Sequence, residues 1–402
     1  MKKNLLLIFM GAVLSVTAQN VTENKVSMNF IQLPTNVIAK QYTFYDLEIV
    51  RAYETANDDS LAVYQAKLES ASAVYEAQLA AWKDNVASMK RDYLTQMANW
   101  QKANNAGTPS SPPNQPVYPA QPVMEIVAMP QLHNDITDPE IGQIVNLAGF
   151  NKGAGGAMIT VTINPISNLR IIEAKKGTGS QTKYNYTCKY NLPLGLKVTV
   201  PGQGVILQTI VNNGQSSYKM KSFSSSYEHE LWMLDNQLQF WTDLEKQARA
   251  KALASLNQEL NNKCGFPVKS RVAEVYTVKK FKEHNYADLI TAYTIASQGY
   301  KKMAESRNRN EARGKLLEAI AAWKKILDQS TPADKKSRIN DKVTALLQCN
   351  IAEAYIWLND YDQAEVYINH AKSSGVNKFK KKANQLDALL KERRLRWNAY
   401  FG

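Results

Sequence analysis

Between residues 25 and 50, apolar and polar side chains alternate in two runs, Lys25–Leu33 and Gln41–Val50, rich in Tyr, Phe, Ile and Val and parted by Pro34, Asn36 and Lys40. Period-two alternation between turn-forming residues predicts two strands, joined as a hairpin. Past Asp58 and Asp59 the period lengthens. Leu61, Tyr64, Leu68, Ala71, Tyr75, Leu79, Trp82, Val86, Met89, Tyr93, Met97 and Trp100 recur in eleven steps over 39 residues, or 3.55 per step, with no Gly or Pro between them. That period lies between the supercoiled and the free helix and predicts an amphipathic helix over 57–106. Asp59 or Ser60 would be its N-cap. Unbroken, it would reach roughly 65 Å and its stripe would need a partner. A helical hairpin turning at Asp84-Asn85 would bury the stripe within the chain instead, and the sequence leaves both open.

Six prolines between Pro109 and Pro122 impose extended conformation and predict a linker or exposed loop over 107–135. Seven short apolar runs follow: Ala157–Ile163, Leu169–Ala174, Lys183–Tyr190, Leu196–Val200, Val205–Val211, Ser217–Phe223 and Tyr227–Leu234. Asn212-Asn213-Gly214 and Pro201-Gly202 punctuate them as hairpins require. Residues 136–236 thus predict an antiparallel β-sandwich-like module, with an open barrel as the alternative, joined by the strands of 19–56, because two strands alone are only marginally stable. Residues 237–402 are expected to be α-helical throughout. The resulting fold class is α+β and multidomain: a β-sandwich-like module carrying a long helical insertion, then an α-helical domain.

The amino end adds a compartment. Lys2 and Lys3 precede an apolar run from Leu5 to Val16, and Val16-Thr17-Ala18 supplies small residues before Gln19. This is the pattern of a signal peptide over 1–18, too short to span a bilayer. Export to the periplasm or outer membrane is expected. A lipoprotein is not, because no Cys stands at the cleavage site. Cys188, Cys264 and Cys349 are too few for a disulfide framework; one bridge is possible, and three buried thiols are the simpler reading.

Charge divides the chain further. The net charge of +13 is nearly all carried by the helical end, which holds 30 Lys and Arg against 18 Asp and Glu, whereas residues 19–239 balance 17 against 18. In the terminal helix Lys380, Lys381, Lys382, Arg393, Arg394 and Arg396 form a cationic patch suited to an anionic glycan or lipid headgroups. A capping helix that closes the domain is the alternative. Nucleic acid is not expected outside the cytoplasm.

Within residues 350–371, Ile351, Ala352, Tyr355, Asn359, Tyr361, Ala364, Ile368 and Ala371 resemble a tetratricopeptide repeat. Small residues let two antiparallel helices approach, the tyrosines fill the space between, and Asn359-Asp360 turns the chain. The segments from Tyr286 and Leu316 look like second helices of earlier repeats. Spacings of 30 and 45 among Leu289, Ala319 and Ala364 depart from the family's 34. The order of modules is similar to that of Bacteroidetes envelope proteins. The resemblance implies a concave face that grips a protein or peptide, with Asn350, Glu353 and Trp357 facing it.

No GxSxG, HExxH or P-loop is present, and the four histidines stand far apart. No catalytic residue, metal or cofactor is therefore expected. The function implied is a non-catalytic envelope scaffold that binds another envelope protein or peptide, with self-association possible through 57–106. The alternative is a glycan-binding or glycan-modifying protein using Tyr184, Tyr186 and Tyr190 with the basic helix.

Overall fold

A computed structural model describes residues 20–107, 110–178, 182–281, 283–303 and 309–402. The expected signal peptide lies outside the described residues. The chain is a mixed α and β protein with ten strands and eight helices among the described residues.

Strand β1 (Asn20–Ile31) does not form a hairpin with β2 (Phe44–Arg51). It pairs antiparallel along its whole length with β10 (Val268–Lys280), so the expected all-helical carboxyl end contains a strand. The cause is visible in β10 itself: Val268, Val272, Val275, Tyr276, Thr277 and Val278 give it strong β character. Strand β2 does join the central module, and in parallel. It lies between β3 (Asn151–Lys152) and β4 (Ala157–Ile163), with Leu47 beside Ile159. A parallel pair needs a long crossover, and helix α1 (Ala52–Asn105), the extended segment after it and short helix α2 (Asp138–Ile144) provide one. The wholly antiparallel module expected from the hairpin signals is corrected at this strand.

Strands β7 (Leu194–Val200) and β8 (Gly204–Val211) complete a five-stranded sheet in the order β3-β2-β4-β7-β8. Strands β5 (Ser167–Lys176), β6 (Lys183–Asn191) and β9 (Ser216–Phe223) form a separate antiparallel sheet in the order β5-β6-β9. Ala157, Ile159, Val161 and Ile163 alternate inward along β4 and pack with Leu194, Leu196 and Val198. The expected seventh strand, Tyr227–Leu234, is instead the start of helix α3 (Ser226–Lys263). Ser225 caps it by accepting from Glu228 N at 3.1 Å, and the Glu228 carboxylate returns to Ser224 N at 2.7 Å. This reciprocal cap outweighs a short alternation that continues downstream at helical period through Phe240, Trp241 and Leu244. Those three residues join the core of the five-stranded sheet.

A second core lies between the β1–β10 ribbon and helices α4 (Ala287–Lys301), α5 (Arg309–Leu327), α6 (Asp341–Trp357), α7 (Tyr361–Ser373) and α8 (Asn377–Phe401). α4 packs on α5 and α6 on α7. The helix from Tyr286 is thus the first of a hairpin whose second holds Leu316, not the second helix of an earlier repeat. At Gly299 a Cβ would stand 3.0 Å from Leu316 Cγ, so glycine permits that approach. Asn359, at φ +60°, turns α6 into α7, and Asp360 caps α7 by accepting from Gln363 N. All three cysteines are free and buried.

Candidate functional site

The residues expected to face a groove are all buried. Asn350 Oδ1 accepts from Tyr276 N and its Nδ2 donates to Tyr276 O, each at 2.9 Å, so β10 occupies the place expected for a bound peptide. Glu353 faces Lys382 Nζ at 3.1 Å and Arg271 at 3.6 Å. Trp357 lies edge-on to Phe30 of β1, with the Arg393 guanidinium 4.2 Å from its ring centre. The expectation that Asn350, Glu353 and Trp357 stand open to a partner is corrected, because the β1–β10 ribbon fills that side of the helices.

Most of the expected anionic-partner patch is also used within the chain. Lys382 is buried between Glu353 and Glu274. Arg396 is buried as well; it donates to Leu33 O and Asn262 O at 2.8 Å, which ties the last helix to the end of α3, and it pairs with Glu392. Arg394 pairs with Asp362 and Glu365. Burial depresses the Arg393 pKa, and its guanidinium donates to Asn359. Of the six, only Lys380 and Lys381 lack a partner among the described residues. Tyr186 and Tyr190 are buried; Tyr186 stacks on His229 at 3.6 Å and donates to Glu173, and burial pushes its phenol up to about 12. Among the described residues no three His, Cys, Asp or Glu side chains are grouped to hold a metal ion.

What stands open is α1 and the segment that returns beside it. α1 is one helix of 54 residues, about 80 Å at about 1.5 Å per residue. It begins at Ala52, ahead of the expected Asp59 or Ser60 cap, and Tyr53 is its only buried residue. The Pro-rich stretch is no free linker. Trp100 Nε1 donates to Ser110 O and Trp82 Nε1 to Pro119 O, both at 2.8 Å. Residues 110 to 119 therefore run beside residues 100 to 82. Nine positions match eighteen of helix, or roughly 27 Å, so the return rises about 3 Å per residue, as a polyproline II strand does. Such a strand repeats every three residues. Pro113, Pro116, Pro119 and Pro122 hold that spacing, which no side chain with a free φ would enforce as firmly.

The same repeat turns another row outward. Val117, Val123 and Ile126 are 88%, 87% and 93% exposed, an apolar ridge along the return. Beside it a cleft of about 560 Å³ opens between Val74, Tyr75 and Gln78 of α1 and Val123, Ile126 and Val127 of the return.

The arm is fixed at its root by charge. Asn57 and the backbone of His133 exchange two hydrogen bonds, at 2.8 and 3.0 Å. His133 Nδ1 lies 3.1 Å from Glu245, Asn134 donates twice to Glu245, and Arg249 pairs with it at 2.8 Å. Burial alone would push the Glu245 carboxyl up, but the hydrogen bonds from His133 and Asn134 and the Arg249 charge hold it below the ordinary carboxylate range. Arg249 stands 4.4 Å over the Tyr53 ring, and Tyr53 donates to Asp135 at 2.8 Å, which lowers the Asp135 pKa. With its acceptors saturated, Glu245 is a latch joining the return to α3 beneath the first turn of α1. The sequence signal for this latch was weak: five ionisable residues spread from Tyr53 to Arg249.

No protein-family model matches the chain, and no curated protein matches it either.

Proposed function

We propose that the chain is a non-catalytic scaffold of a cell envelope that holds another envelope protein or peptide on its arm. The single observation that carries this reading is the outward row of Val117, Val123 and Ile126 on a rod latched to a folded base. An apolar row so exposed on a strand held straight marks a contact surface, since proline and the two Trp bonds have already removed the entropy that binding would otherwise cost. In this reading helices α4 to α8 are a tetratricopeptide-like base, the two sheets form a sandwich-like middle, and export places the chain in the periplasm or at the outer membrane. The base holds its own ribbon, and the partner meets the arm.

A photo-crosslinking residue at position 126, with the full chain in its native envelope, is expected to give a discrete adduct with another protein, and Val123→Asp should remove it. Recovery of the uncoupled chain alone, or an adduct unchanged by Val123→Asp, would overturn the reading.

A further inference from the structure

The face of α1 turned away from the return has no partner, and we propose that it pairs antiparallel with the same face of a second copy of this chain. From Val63 to Leu94 the positions met in alternating steps of three and four residues are all exposed. Val63 and Leu94 close the row, 56% and 58% exposed, Ala77 and Ala80 stand at its middle, and Asp84 and Arg91 are its only charges; the rest are Ala or Ser. A row of period 3.5 is the seam of a two-stranded coiled coil, and small side chains let the axes approach closely.

The charges beside the row specify the occupant and its direction. Glu69, Glu76, Lys83 and Lys90 follow one another at seven-residue steps along one edge, and none has a partner within the described chain. In an antiparallel pair centred between Ala77 and Ala80, Val63 faces Leu94 of the second copy and Ala77 faces Ala80. Asp84 and Arg91 each face an alanine, Ala73 or Ala66, and can extend to water. The same register brings Glu69 to Lys90 and Glu76 to Lys83, each pair made twice by the two-fold axis. A parallel pair would instead set Asp84 against Asp84 and Arg91 against Arg91. It would also leave the four edge charges facing Val74, Ala81, Ser88 and Thr95. Sequence and exposure thus fit a second copy in one orientation.

This pairing does not use the Val117–Ile126 row and does not rest on the partner-binding reading. Its test is sedimentation of the full chain. The native chain should be a dimer. Glu69→Lys with Glu76→Lys, and separately Lys83→Glu with Lys90→Glu, should each weaken the dimer about tenfold or more, since four attractions become four repulsions. An equimolar mixture of the two variants should restore it, which a folding defect in either could not do. Direction is read by mixing Ala77→Cys with Ala80→Cys chains; the three native thiols are buried. Disulfide between the two kinds of chain is expected. A monomeric native chain, charge-reversed variants that dimerise unchanged, or Ala77→Cys chains that couple best to themselves would overturn the proposal.

Discussion

Asn350 holds both polar groups of the Tyr276 peptide at 2.9 Å in a buried setting. Asn350→Ala leaves an N–H and a C=O unsatisfied and is expected to lower the unfolding free energy by about 2–4 kcal/mol. A denaturant midpoint within error of the native one, at unchanged slope, would refute that. Glu245 makes a prediction about pH. Its folded pKa is depressed, so its contribution is fully present above the unfolded value of about 4.3 and is lost as pH falls through the folded value. Hydrogen-exchange protection around Asn134 should therefore hold at neutral pH and be lost as pH falls below the ordinary carboxylate range. Glu245→Gln should shift that loss away from the acid limb. A polar Asn within an apolar helix can be seen in the sequence. Its partner cannot, because 74 positions separate it from Tyr276.

Trp82 and Trp100 anchor the return to α1, each through one indole hydrogen bond. Trp82→Ala removes that bond and the bulk of the indole. Proteolysis beside Tyr118 is expected to accelerate about tenfold, the equivalent of one hydrogen bond and a little packing; an unchanged rate would show that the return is held by something else. Elements of this kind were partly legible. The 3.55-residue period marked α1, yet not whether it bent at Asp84, because both outcomes hide the same stripe. The prolines announced extended backbone but not its docking, since that depends on two tryptophans ten and 37 positions away. Strand β10 was hidden by its surroundings: its valines sit between Lys, Arg and Glu in a stretch otherwise helical. At Tyr227–Leu234 a run of alternation too short to decide its period lost to the cap at Ser225.

For the molecule as a whole, a helix of 54 residues with one buried side chain implies an extended particle. X-ray scattering should give a radius of gyration well above the roughly 21 Å of a compact chain of this length; a value near that figure would mean that the arm folds back on the base. The order of the strands was the least legible level, because the parallel neighbours β2 and β4 are separated by the entire arm and look in sequence like unrelated runs. The ribbon has a consequence for how the protein is made. Asn20 pairs with Lys280, so β1 must wait through 260 further residues of synthesis for its mate. The helices beneath it cannot close over their ribbon sooner. Synthesis should therefore pass through a long-lived intermediate with a sticky leading end, and a holding chaperone would be needed there more than at any later stage.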